Sequence, residues 1–154
     1  MEKLIFDSGI REFQINGGGV LRFNPGDPNL YGRFLDAMEK VRGVEQELVD
    51  RAKEMEQVQD SGAAVLGLLR ETDRKLKKLL DEVFGEGNDF DALLGGVNLL
   101  AVAGNGRRVI ENLLGALQPI LAQGAEACAK QEAEQAVAEA RLARARRGEV
   151  KHQV

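Results

Sequence analysis

The chain has 154 residues, 44% hydrophobic and 30% charged, a globular balance that suits one domain and argues against disorder throughout. Its formal net charge of −4 argues against a dedicated nucleic-acid binder, because neutralising phosphates needs concentrated Lys and Arg. Cys128 is the only cysteine, which rules out an intrachain disulfide and makes the cytoplasm the expected compartment.

With six Phe, one Tyr and no Trp, a core must come mostly from Leu, Val, Ile and Ala, which favours helices packed on helices. Acids interrupt the first apolar stretch, and nowhere do about 18 apolar residues run on. Neither a membrane span nor an export signal is expected.

Three segments are expected: an N-terminal hairpin over 1–26, a helical core over 27–124, and a charged extension over 125–154, together one domain. Arg11-Glu12-Phe13-Gln14-Ile15 and Val20-Leu21-Arg22-Phe23 both alternate polar with apolar residues. Between them Asn16-Gly17-Gly18-Gly19 tolerates the positive φ of tight hairpin loops. A hairpin alone is marginal in water, so Phe13, Ile15, Leu21 and Phe23 should seek another surface. Leu4-Ile5-Phe6 reads as a further strand.

Asn24-Pro25-Gly26-Asp27-Pro28 stops the sheet and starts a helix, with Asp27 as N-cap and Pro28 at the first helical position. Phe34, Met38, Val41, Val44, Leu48, Ala52, Met55 and Val58 then recur at spacings of three and four, one stripe of a long helix. After a weak break at Asp60-Ser61-Gly62, Val65, Leu68, Leu69, Leu76, Leu79, Leu80 and Val83 resume the pattern, which predicts a helical hairpin. Gly85-Glu86-Gly87-Asn88 ends the second helix, and Asp89 or Asp91 is positioned to cap a short helix with Phe90, Leu93 and Leu94. Beyond the Gly95-Gly96 break, Val109, Ile110, Leu113, Leu114, Leu117, Ile120 and Leu121 mark another amphipathic helix. Pro119 predicts a kink or a junction within it. After Gly124 the chain is rich in Ala, Glu, Gln and Arg, with high helix propensity and few large apolar residues.

Several motifs invite a chemical reading. Ala101-Val102-Ala103-Gly104-Asn105-Gly106 imitates a dinucleotide fingerprint, but Val109 stands at the third glycine position and no alternating strand-helix pattern surrounds it. Glu82, Glu86, Asp89 and Asp91 lack the alternate-ligand spacing of a calcium loop and read as helix-capping acids. With His152 the only histidine and Cys128 alone, neither a metal site nor a Cys–His pair is expected. Arg141, Arg144, Arg146, Arg147 and Lys151 form the one basic block, without interleaved aromatics for base stacking. A solvated helix end is the expectation there, so nucleic acid is not the expected partner.

Taken together, the hairpin with Asn16-Gly17-Gly18-Gly19, the turn Phe23-Asn24-Pro25-Gly26-Asp27-Pro28-Asn29-Leu30-Tyr31, the element Phe84-Gly85-Glu86-Gly87, the following Gly-Gly and the terminal helix resemble one group of proteins. The similarity, over most of residues 10–130, is to small tail assembly chaperones of long-tailed phages and prophages. It implies a small protein encoded ahead of the tape measure protein, which it coats until tail-tube protein polymerises around that long helical chain. Some members also exist as a longer product of ribosomal frameshifting. The resemblance implies a non-catalytic, homo-oligomeric protein of the host bacterial cytoplasm, without cofactor or metal.

Amphipathic stripes suit such a task, since they self-associate or cover the apolar face of a client helix. The partner-binding candidates are Val109, Ile110, Leu113, Leu114, Leu117 and Leu121, with Val41, Val44 and Leu48 on the first long helix. An ordinary core gives the same stripes, so both readings stand. Two other classes compete: a structural virion subunit of tail or head completion, and a regulatory nucleic-acid binder using Arg141 to Lys151. The expected fold is mainly α, with the hairpin packed on a helical bundle and a long C-terminal helix.

Overall fold

A computed structural model describes residues 1–57 and 61–152, with side-chain environments given up to Gly148. It is mainly α, with an N-terminal hairpin and a long C-terminal helix as the patterning predicts. Strands β1 (Arg11–Gln14) and β2 (Val20–Phe23) pair antiparallel from Arg11↔Phe23 to Gln14↔Val20. Asn16 and Gly17 hold φ of 48° and 73° in the turn, which Gly18 closes by donating to the Ile15 carbonyl at 2.8 Å. That positive-φ pair matches the right-handed twist of the flanking strands.

One hairpin face buries Leu21 and Phe23, with Phe13 packed partly against them; the other carries the exposed Arg22–Glu12 ion pair at 3.1 Å. Leu4-Ile5-Phe6 forms no strand. Residues 1–10 run without regular secondary structure and stay exposed.

Helix α1 (Pro28–Met55) begins where Asp27 accepts from the Asn29 N–H at 2.9 Å. Helix α2 (Ser61–Phe84) returns antiparallel to it: Arg33 Nε donates to the Val83 carbonyl near one end, and Arg51 pairs with Glu71 near the other. Ser61 and Gly62 are already helical, whereas Val58 and Asp60 lie outside the described residues. Leu30, Phe34, Ala37, Val41 and Leu48 face Leu68, Leu76, Leu80 and Val83 in the core.

A chain of three aromatic contacts runs from the hairpin through the end of α2 to Phe90. Phe13 stacks on Phe23 at 4.8 Å between centroids, Phe23 meets Phe84 edge-on at 5.0 Å, and Phe84 leans on Phe90 at 5.3 Å. Phe90 opens the one-turn helix α3 (Phe90–Leu93), capped by Asp89, which accepts from the Asp91 and Ala92 N–H groups.

Helix α4 (Val109–His152) is continuous through Pro119, so the expected junction between two helices is absent. Proline removes one backbone donor at a cost of about 3 kcal/mol in a helix interior. Here Gly115 and Pro119 are exposed, so water reaches the freed carbonyl. The helix buries Ile110, Leu117 and Leu121, then runs on past Gly124 with almost every side chain exposed through Gly148. At 1.5 Å per residue that second part projects about 36 Å. Among the described residues, no helix is long and apolar enough to cross a membrane.

Candidate partner-binding groove

The start of α4 is built by the loop before it. The Ala103 N–H donates to the Arg107 carbonyl at 2.7 Å, and the Gly106 N–H to the Ala103 carbonyl at 2.9 Å. The side-chain amides of Asn105 and Asn112 bond reciprocally at 2.9 and 3.2 Å. The Val109 and Ile110 N–H groups, the first of the helix, donate to the carbonyls of Ala101 and Leu99. The first two N–H groups of the helix, which a dinucleotide phosphate would need, are therefore occupied, and Gly104-Asn105-Gly106 is a tight turn.

This loop sets the angle at which the apolar stripe of α4 meets the hairpin, and the stripe divides. Ile110, Leu117 and Leu121 are buried in the core, while Val109, Leu113 and Leu114 are half-buried. Val109, Leu113 and Leu117 form one wall of a groove of about 410 Å³; Phe13, Ile15 and Leu21 from the hairpin, with Leu94 after α3, form the other. Gln14, Asn16 and Asn112 supply its polar rim, and Ile120 continues the helical wall. No charged residue lines it, whereas each of four other clefts among the described residues carries both acids and bases. An uncharged apolar cleft with a few polar rim groups is the usual form of a surface that binds apolar side chains.

The candidates on α1 belong elsewhere. Val41 and Leu48 are buried under α2 and Val44 is half-buried there, so that stripe makes the contact between the two long helices. The sequence reading named Phe13 and Ile15 as residues in search of a surface but did not join them to α4, and it left out Leu94. Nothing in residue spacing brings position 13 beside position 113.

A polar cluster beneath α3 also escaped that reading. Lys77, buried on α2, pairs with Asp73 at 3.0 Å and with Asp91 of α3. The second oxygen of Asp73 accepts from the Leu99 N–H at 2.8 Å. Burial lowers the Lys77 pKa, but hydrogen bonds and charge from Asp91 and Asp73 outweigh it and leave the pKa raised. Asp81 accepts from the Phe90 N–H at 2.9 Å, and burial, aided by repulsion from Asp89 and Asp91, raises its pKa. These groups pin α3 and the following loop to α2, which holds Leu94 at the groove wall. Glu82 and Glu86 stay exposed, and Asp89 caps α3 as its position predicts.

Cys128 is half-buried, on α4 beyond the bundle. Arg141, Arg144, Arg146 and Arg147 are exposed on the projecting part; the first, second and fourth follow one side at three-residue spacing while Arg146 points elsewhere. The side chains of Lys151 and His152 lie outside the described residues. Compared with protein-family models, with curated proteins and with solved structures, the chain finds no match.

Proposed function

We propose that this protein is a non-catalytic binder of helical protein chains, and specifically a tail assembly chaperone that shields the tape measure protein before tail-tube polymerisation. The observation that carries the reading is the uncharged groove between the hairpin and α4, with Val109, Leu113 and Leu117 on one side and Phe13, Ile15 and Leu94 on the other. Its volume of about 410 Å³ accepts a few apolar side chains, the number that one face of an amphipathic helix presents at i, i+3 and i+4. The projecting part of α4 adds a long exposed helical surface beside a client. The family resemblance in residues 10–130 supplies the identity of that client.

The test is co-expression with the long helical protein encoded next to this chain, comparing wild type with Leu113→Asp. Wild type keeps the client soluble and co-purifies with it in many copies, and Leu113→Asp loses both while retaining its helix content. If wild type neither binds nor solubilises the client, a permanent virion subunit becomes the better reading, and purified particles should then contain it.

A further inference from the structure

The hairpin has two outer edges, and only one is closed. Strand alternation turns the backbone groups of Arg22 outward on β2, where the Asn88 side chain meets both. Asn88 Nδ2 donates to the Arg22 carbonyl at 2.8 Å, and the Arg22 N–H donates to Asn88 Oδ1 at 3.0 Å. On β1 the same alternation turns the N–H and C=O groups of Glu12 and Gln14 outward, with no partner among the described residues. That open edge borders the uncharged groove, whose lining includes Phe13, Gln14 and Ile15.

The same chain carries a segment with matching chemistry. Leu4, Ile5 and Phe6 are 88%, 88% and 74% exposed, an apolar run outside regular secondary structure and of the composition that forms strands. None of these residues lines the groove of its own chain, and hydrogen bonds hold the base of the arm. Asn24 Nδ2 donates to the Ser8 carbonyl at 3.1 Å, Asp7 accepts from the Gly9 N–H at 2.8 Å, and Gly9 sits at φ 76° with room for no Cβ beside Asn24. Ser8 and Ile10 accordingly line a cleft with Arg22 and Asn88, on the β2 side.

We infer that the leading arm of one copy docks on the β1 edge of a second copy, adding a strand whose alternate side chains enter the groove. Strand addition to an exposed edge takes affinity from backbone hydrogen bonds and specificity from pockets for every second side chain. Leu4 and Phe6 share a face and fill the groove, while Ile5 points away. Each fully buried apolar side chain removes about 60–120 Å² from water. Counting Leu4 and Phe6 of each arm and the surface they cover, two reciprocal arms bury roughly 480–960 Å² before the backbone is included. The backbone of the two added strands brings the total towards the lower end of about 1,200–2,000 Å², the range for stable interfaces. The arm shares its groove with the client site proposed above, so arm and client compete.

Sedimentation of the full chain over about a hundredfold range of concentration tests this without any client. Wild type self-associates as concentration rises. Leu4→Asp and Phe6→Asp each weaken that association by about tenfold or more, and Ile5→Asp does so less. These side chains are exposed, so all three variants keep wild-type helix content. A chain lacking residues 2–7, mixed with Leu113→Asp, forms a one-armed dimer that neither forms alone. A wild type that stays monomeric throughout, or arm variants that associate like wild type, overturns the inference. Either result leaves the client test standing, and failure of the client test leaves this one standing.

Discussion

Gly124 of α4 lies directly against the backbone of Pro25, so that a Cβ at position 124 would overlap the Pro25 carbonyl. The contact presses α4 onto the turn from β2 into α1. Gly124→Ala forces that backbone apart and should cost about 3 kcal/mol, the upper range for overpacking. Gly67→Ala, on an exposed face of α2 with open space around it, should instead gain about 0.5–1 kcal/mol from helix propensity. Urea unfolding of the two variants checks this, and equal effects would show that the close approach is absent.

Asn88 stands in for a missing strand beside β2. Besides its two bonds to Arg22, its Nδ2 donates to the Phe84 carbonyl at 3.0 Å, so one buried amide joins the hairpin to the end of α2. Asn88→Ala should destabilise by about 2–3 kcal/mol, since it strands partly buried backbone groups. Asn88→Asp should be no better, because it keeps the acceptor for the Arg22 N–H but points a carboxylate at two carbonyls. Thermal unfolding distinguishes this from an amide that merely meets water, for which Asn88→Asp would be near neutral.

The fold was legible where periodicity and capping chemistry act locally. Phe34 through Met55 repeat at helical spacing, Asp27-Pro28 caps that run, and Asn16-Gly17 gives the turn away. Burial of Val41 and Leu48 follows from the same stripe once a second helix is present. The groove was not legible, because it joins Phe13 and Ile15 to Leu113 across nearly a hundred positions through a loop of unremarkable composition. The Asp73–Lys77 pair had a local signal, an acid four residues before a base, but that signal ordinarily marks a solvated face. Of the kink or junction expected at Pro119 the junction is absent, since α4 runs on as one helix and the carbonyl that loses its donor belongs to the exposed Gly115.

Lys77 is a cation enclosed by two acids, and removing one partner of a buried pair costs more than the pair contributes. Lys77→Met should destabilise by about 3 kcal/mol, chiefly by leaving Asp73 buried without its counter-charge. Asp73→Asn combined with Lys77→Met should recover most of that loss, because Asn still accepts from the Leu99 N–H. The coupling read from a double-mutant cycle settles it. Additive losses would mean that the two residues act separately.

The raised pKa of Asp81 gives a pH dependence with a definite sign. Its cause is first burial and then repulsion from Asp89 and Asp91, opposed by the Phe90 N–H and by Lys77. A carboxyl whose folded pKa lies above its unfolded value binds its proton more tightly when folded. Its ionisation therefore takes stability away as pH rises from the unfolded value of 3.8 through the folded one. Asp81→Asn keeps an acceptor for the Phe90 N–H and has no charge to lose. Its stability relative to wild type should thus increase as pH climbs through that window and level off above it. Melting temperatures of both chains measured across the acid range give the difference directly; a gap that does not change with pH would mean that Asp81 is no harder to ionise in the folded chain than in the unfolded one.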